Sequence, residues 1–283
     1  MTTIQPRPAE DSAESPAGRA VSERQASRLL IERTVLDEQV HAARESDRRS
    51  WGIVSWLGPI VALAAIIVLG NVVAPLIAPR HGAGRVVFAV GVSVGGELLL
   101  LAALFGFGHA IAAREGGWRI AFGLDGIRGR DWLPWITGFG IVFACRSVVL
   151  VLANVLTDGR AGREASNLSL GHPSVLAIVV LGVMAVVLAP ITEELMFRGL
   201  LLRSFMRRMS FWPAAVLSTA LFSLFHVYEV GTLLGAVTLA ATVATLGLGN
   251  CFLVRITGRL APAIMVHATY NALALVVALA TAR

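Results

Sequence analysis

Residues 175–202 read VLAIVVLGVMAVVLAPITEELMFRGLLL, an apolar run in which only Glu193, Glu194 and Arg198 carry charge. An α-helix needs about 20 consecutive, mainly apolar residues to cross the hydrocarbon core of a bilayer. This stretch is long enough, so we predict that it forms a transmembrane helix. Its three charged side chains then lie at membrane depth, where an ionisable group costs at least about 2.5–3.5 kcal/mol. Each of them therefore needs a structural or functional reason.

Similar apolar runs occur on both sides of this stretch. The chain has 283 residues, of which 56% are hydrophobic and 15% charged, against about 25% charged in soluble domains. This composition excludes a disordered protein, a disulfide scaffold and a nucleic-acid-binding protein. We predict an all-α, polytopic membrane protein of about seven transmembrane helices around a polar cavity. The predicted spans are residues 51–77, 86–113, 132–156, 175–202, 212–228, 233–254 and 260–280.

The chain divides into three predicted parts. Residues 1–50 form a polar, disordered cytoplasmic tail, residues 51–173 hold the first three spans, and residues 174–280 form the functional core. Near the ends of the spans, the side of the tail holds twelve Arg, of which three are at the end of the tail and nine in loops, and the opposite side holds five, which predicts a cytoplasmic N-terminus. All 24 basic residues are Arg, a bias typical of GC-rich genomes, and we expect a bacterial cytoplasmic membrane.

Two ionisable residues lie within the predicted second and third spans. Glu97 is near the middle of the second span, and Arg146 is near the middle of the third. Adjacent antiparallel helices would place the two side chains at similar depth. The sequence therefore predicts a buried ion pair that fixes the register of these helices.

The pair of adjacent glutamates in the fourth span divides into two roles. Neighbouring helical residues point about 100° apart, whereas Glu194 and Arg198 are four residues apart and share a face. This assigns Arg198 to Glu194 and leaves Glu193 without a counter-charge on its own helix. Pro190 lies just upstream, where it interrupts the helix and opens backbone groups or water access near Glu193.

The fifth and seventh spans carry further polar groups. A tight turn near Met209 separates the fourth and fifth spans, and Glu193 and His226 are equally far from it along the chain. We therefore expect these two side chains at the same depth. His267 and Asn271 are four residues apart and share one helix face. The predicted set combines one candidate base, two imidazoles and one amide donor.

Several kinds of chemistry fit this set. A carboxylate and imidazoles can activate water, and His and Asn can stabilise an oxyanion, which indicates a hydrolase. A serine nucleophile fits less well, because Ser218 and Ser223 lie in no G-x-S-x-G motif. Glu193, His226 and His267 could also bind zinc with one open position. The non-enzymatic alternatives are a cluster that only ties helices together and a proton relay in a transporter.

Three motifs in order carry a family resemblance. They are EELMFR at 193–198, FSLFH at 222–226, which begins with Phe222, and HATYN at 267–271. The pattern E-E-x-x-x-R, F-x-x-x-H, H-x-x-x-N on successive membrane helices resembles the CPBP intramembrane proteases, which include the type II CAAX-prenyl proteases and bacteriocin-processing and immunity-associated proteins. The resemblance covers residues 174–280.

The resemblance implies an intramembrane endopeptidase that acts on a membrane-associated peptide or protein. It implies that Glu193 activates water with the help of His226, and that His267 and Asn271 hold the oxyanion. Glu194, Arg198 and Phe222 would then be supporting residues. We expect no cofactor, with zinc as the alternative, the lipid bilayer as partner, and no nucleic acid. The rival within the family is a non-catalytic scaffold or immunity protein.

Overall fold

A computed structural model describes residues 54–79, 83–165, 175–227 and 230–281. All regular elements within these ranges are helical, and no strand occurs among them. The predicted all-α class of a polytopic membrane protein is confirmed. In chain order the α-helices are α1 (Val54–Val68), α2 (Ala74–Ile77), α3 (Ala83–Glu115), α4 (Trp118–Phe122), α5 (Trp132–Leu156), α6 (Arg160–Glu164), α7 (Val175–Val183), α8 (Ala189–Glu194), α9 (Arg203–Met206), α10 (Phe211–Val227), α11 (Leu233–Thr257) and α12 (Ala261–Thr281).

Within the described residues, seven apolar helical segments correspond to the seven predicted spans, and two of them are shorter than a full membrane span. Five are long and apolar enough to cross a membrane: Val87–Glu115, Gly129–Leu156, Ile178–Met206, Leu233–Thr257 and Ala261–Ala280. The other two, Leu57–Val68 and Phe211–Val227, are shorter apolar helices. The predicted tail, residues 1–50, lies outside the described residues, as do the predicted first residues of the first span.

Three π-helical segments interrupt the regular helices within the described ranges, at Leu69–Val73, Met184–Leu188 and Leu195–Leu202. The last two flank α8, so Glu193 and Glu194 lie in a short α-helical piece between two wider turns. Such segments are rare and occur often at functional sites. In the first of these two, the Ala189 N–H donates to the carbonyl of Met184, five residues back. The register changes one residue before Pro190, which has no N–H to donate.

The centre of the molecule is the stretch from Thr192 to Met206. Every residue of this stretch is buried, and Arg198 is among the largest side chains with no exposure. The helices α10, α11, α12 and α3 pack around it. Large apolar side chains on the outer faces are exposed, as expected for contact with lipid; examples are Leu152, Val155, Leu176 and Val276. The polar groups of this central stretch thus lie inside the helix bundle.

Ion pairs and hydrogen bonds join the loop before α5 to the turn between α11 and α12. Arg259 donates through Nε to Asp125 at 2.7 Å and through Nη2 to the Gly126 carbonyl at 2.8 Å. Its Nη1 pairs with Asp131. Gly123 has a φ of +67°, and a Cβ there would clash with the Gly258 carbonyl oxygen. The two loops therefore approach at backbone distance, which holds both helices in register.

Candidate active site

Glu193 faces the two imidazoles that the sequence placed near it. Its Oε2 atom lies 3.7 Å from Nε2 of His226 and 3.7 Å from Nε2 of His267. These distances are longer than a direct hydrogen bond of about 2.7–3.2 Å and short enough for one bridging water molecule. Oε2 is buried and has no hydrogen-bond partner among the described residues. The structure therefore brings three polar atoms together around a point that could hold a water molecule.

Both imidazoles are oriented by their other nitrogen. Nδ1 of His226 lies 2.8 Å from the Phe222 carbonyl oxygen, one turn earlier on the same helix. A carbonyl can only accept, so this nitrogen carries a proton and donates. Nδ1 of His267 lies 2.9 Å from Oε1 of Glu194, to which it donates. In the neutral form of each ring, Nε2 is then an acceptor that points toward Glu193.

Glu194 accepts hydrogen bonds from three side chains around the site. Its Oε1 accepts hydrogen bonds from Arg198 Nη1, Asn250 Nδ2 and His267 Nδ1, each at 2.9 Å. The predicted pair with Arg198 is present, and both side chains are fully buried. Arg198 also donates through Nη2 to the Gly247 carbonyl at 3.0 Å. Through these bonds Glu194 connects its own helical stretch to α11 and α12 and fixes the orientation of the His267 ring.

Phe222 packs against the main groups of the site. Its ring lies 4.6 Å from the ring of His226 and 5.7 Å from that of His267, both edge to face. The Arg198 guanidinium carbon lies 4.4 Å from the Phe222 ring centroid, a distance typical of a cation–π interaction. Phe222 has no exposure. A rigid aromatic ring at this point restricts the rotation of both imidazoles.

The side chain of Asn271 bonds to a backbone carbonyl oxygen for which Pro190 provides no N–H donor. Its Nδ2 donates to the Ala185 carbonyl at 2.7 Å. In the π-helical register at this point, the carbonyl of residue i accepts from residue i+5, which for Ala185 is Pro190. Because proline has no N–H, the side chain of Asn271 supplies the missing hydrogen bond. A carboxamide has two N–H donors, so this bond uses one of the two.

The predicted ion pair between Glu97 and Arg146 does not form. Helix α3 packs on α1 and α8, whereas α5 packs on α11 and α12, so the two side chains belong to different sides of the bundle. Arg146 lies over the Tyr270 ring at 5.1 Å. Glu97 lies instead on α3, which packs against α8, the helix that carries Glu193. The prediction failed because it assumed that consecutive helices are neighbours along their whole length.

Asn250 contributes to the site although the sequence analysis did not single it out. It is fully buried and donates both to Glu194 and to the Ala263 carbonyl, the latter at 3.2 Å. The available signal was its position as a lone amide within an otherwise apolar predicted span. Its role depends on which helices meet, because its two acceptors lie 56 and 13 residues away along the chain.

The side chains around Glu193 include donors that suit a metal ion. Glu193 Oε2 and the two Nε2 atoms are chemically suitable zinc ligands. A hydrogen bond from the second nitrogen of a histidine to a carboxylate, as between His267 and Glu194, is common around metal sites. Within the described ranges, however, no group of three or more His, Cys, Asp and Glu side chains has a spacing that could hold a metal ion. The side chains therefore fit a metal ion by type, while their spacing adds no support for one.

Comparison with known proteins finds a family model that matches the C-terminal part of the chain. Residues 175–273 match the family model for type II CAAX prenyl endopeptidase, Rce1-like. The matched segment contains all three motifs and every residue of the arrangement around Glu193. No curated protein and no solved structure matches the chain.

Proposed function

We propose that this chain, which matches the Rce1-like model of type II CAAX prenyl endopeptidases over residues 175–273, belongs to the CPBP and CAAX protease family and is an endopeptidase that cleaves its substrate within the membrane. The family implies a peptidase with a membrane-associated protein substrate. The observation that carries the proposal is the position of Glu193 Oε2, 3.7 Å from both imidazole Nε2 atoms. The Glu193 carboxylate and the acceptor nitrogen of His226 are suited to bind a water molecule and remove its proton, with the second imidazole beside them.

In the proposed reaction Glu193 acts as the general base. A water molecule donates one hydrogen to Glu193 Oε2 and the other to Nε2 of His226, whose ring is fixed by its Nδ1 bond to Phe222. The water oxygen attacks the carbonyl carbon of the peptide while Glu193 takes the proton. The C–N bond then breaks as the same proton passes to the leaving nitrogen. Glu193 ends the cycle as a carboxylate, so the atoms and charges balance.

His267 and Asn271 are proposed to stabilise the oxyanion. In its imidazolium form His267 donates from Nε2 as well, and the Glu194 carboxylate at its Nδ1 stabilises that positive charge. Asn271 uses one N–H for Ala185, and its other N–H is available to the oxyanion. A single donor of this kind contributes about 2.7–4 kcal/mol to the barrier in other enzymes. Glu194, Arg198 and Phe222 act as positioning residues.

We propose that the reaction requires no metal. Asn271 and His267 account for oxyanion binding by themselves, and a bridging water fits the spacing between Glu193 and the two imidazoles. Zinc is the alternative, with Glu193, His226 and His267 as the residues that would hold it. Zinc would supply Lewis-acid activation of the water. In that case His267 would keep its Nδ1 hydrogen bond to Glu194, which would orient the imidazole as a zinc ligand.

The proposed substrate is a peptide at the C-terminal end of a membrane-associated protein. The proposed location is a bacterial cytoplasmic membrane with the N-terminus in the cytoplasm. Since prenylated proteins are uncommon in bacteria, we propose that prenylation is not required of the substrate.

The first experiment uses the purified full chain in detergent with a library of membrane-anchored peptides. Cleavage is followed by mass spectrometry for the wild type, Glu193→Gln and the control Glu164→Gln, each with and without a chelator. Glu164 lies on α6, where it binds Thr232 and has no contact with the site. We expect cleavage by the wild type and the control, and none by Glu193→Gln, with chelation having no effect. Full activity of a folded Glu193→Gln variant would refute the mechanism.

This experiment and a flux measurement in liposomes separate the alternatives. Cleavage lost on chelation and restored by zinc would assign the metal-dependent mechanism. If no peptide is cleaved and Glu193→Gln only lowers stability, the non-catalytic scaffold or immunity protein is favoured. A proton-coupled transporter predicts flux in liposomes that Glu193→Gln abolishes.

A further inference from the structure

A cavity of about 570 Å³ lies between the first two membrane helices and the active-site helix. This volume falls in the range of about 300–1,000 Å³ that is typical of ligand pockets. Its walls come from the first apolar segment, residues 63–77, and from α3, with Met184 and Phe225 at the side of the active site. Val73 and Ile77 in its wall are exposed, so a chain can enter the cavity from the surface of the bundle.

The cavity is apolar except at one point. Among the described residues that line it, Glu97 is the only ionisable one, and Ser93 is the only other one with a polar side chain. Ser93 donates to the Ala89 carbonyl on its own helix at 3.1 Å. Oε1 of Glu97 is buried and has no hydrogen-bond partner among the described residues. A buried acceptor without a donor is costly, so this atom lacks a partner that a ligand could provide.

Glu97 also connects the cavity to the catalytic group. The helix that carries Glu97, α3, packs directly on α8, which carries Thr192 and Glu193. Phe225, in the cavity wall, is the residue before His226. A group bound in the cavity therefore lies beside the point where the peptide bond would be cleaved.

We propose that this cavity is a substrate subsite for a basic side chain, with the aliphatic stem along the apolar wall and the cationic end group at Glu97. Three features favour a lysine or arginine over a purely apolar occupant. The carboxyl is the single charge among the described residues of the cavity, its free oxygen requires a donor, and a charge in hydrocarbon surroundings is stable only when it is paired. A Lys side chain has the matching form, since four methylene groups precede its charge. The proposal rests on the proposed peptidase function and adds a sequence preference to it.

The test compares anchored peptides that differ at one position at a time, with Lys, Met or Glu placed at successive positions around the cleavage site. Values of kcat/KM are measured for the full-length wild type, Glu97→Gln and the control Glu164→Gln. At one position we expect the wild type to prefer Lys over Met by roughly 10- to 100-fold, the effect of one hydrogen bond to a charged group. Glu97→Gln should reduce this ratio to about one, and Glu164→Gln should leave it unchanged.

Equal cleavage of Lys and Met peptides at every position would overturn the subsite, and so would a loss in Glu97→Gln that is equal for both peptides. The second result would assign Glu97 to the chemistry at Glu193 or to stability, and thermal unfolding of the variant distinguishes these two.

If no peptide is cleaved, the peptidase proposal fails separately. The subsite is then tested by binding of fluorescent Lys and Met peptides to the wild type and to Glu97→Gln. A Lys preference that Glu97→Gln removes supports it, and equal binding refutes it.

Discussion

Replacing Asn271 by Leu tests whether this side chain compensates for Pro190. Leu is similar in size but cannot donate, so the Ala185 carbonyl would lose its 2.7 Å hydrogen bond within the apolar membrane segment Met184–Leu188. A buried polar group left without its partner costs about 1–3 kcal/mol. For a domain of about 150–250 residues, 1 kcal/mol corresponds to about 2–4 °C in Tm. We therefore expect Asn271→Leu to lower the Tm by about 5 °C.

The decisive variant is the double substitution Asn271→Leu with Pro190→Ala. Alanine at 190 restores a backbone N–H at the position from which the π-helical register would bond to Ala185. We expect the double variant to recover most of the lost stability, while Pro190→Ala alone changes the Tm little because Asn271 already supplies the bond. Thermal unfolding in one detergent, followed by fluorescence and by size-exclusion recovery, measures all four proteins. Activity is measured in parallel, and it should stay low in the double variant if Asn271 binds the oxyanion.

The four Tm values form a double-mutant cycle. Additive effects, with no recovery in the double variant, would refute the compensation argument. A Tm of Asn271→Leu equal to that of the wild type would refute it as well, because the carbonyl would then have another partner.

Three further predictions concern stability, each measured as Tm in detergent. Glu194→Gln leaves the fully buried Arg198 without its counter-charge and should lower the free energy of unfolding by about 3–5 kcal/mol. Adding Arg198→Met should recover part of this loss. An unchanged Tm in the single variant would contradict the pairing. Asn250→Leu removes a donor from Glu194 and should cost about 1–3 kcal/mol, with no effect expected if another group takes its place. Gly123→Ala should cost about 1–3 kcal/mol, since its φ is +67° and its Cβ would clash with a carbonyl oxygen, whereas Gly126→Ala, with open space around its Cβ, serves as the control.

Contacts within one helix, or across one short turn, could be predicted from residue spacing. The i,i+4 relation placed Arg198 beside Glu194, and equal distances from the turn placed Glu193 and His226 at one depth. The helix boundaries follow the apolar runs to within a few residues for most spans. Such contacts depend only on the rise and repeat of the α-helix, so they can be worked out without knowing how the helices pack.

Contacts between helices that are distant in sequence could not be predicted in the same way. The prediction of a Glu97–Arg146 pair was wrong, because membrane helices do not pack in chain order and depth alone does not make two side chains neighbours. Asn250 was missed for the same reason: its two acceptors are on other helices. The bond from Asn271 to Ala185 required both the local π register and the docking of α12.

The sequence by itself determined that this protein is a helical membrane protein, because burying so many apolar residues requires hydrocarbon on the outside as well as packing on the inside. It also determined which polar residues lie at membrane depth. Only the tertiary structure decided which of these meet, joined His267 to Glu194 and left Glu97 facing an apolar cavity. The physical reason is that lipid excludes every polar group alike, so hydropathy sets the depth of a side chain, while the choice of partner depends on the shapes and angles with which whole helices pack.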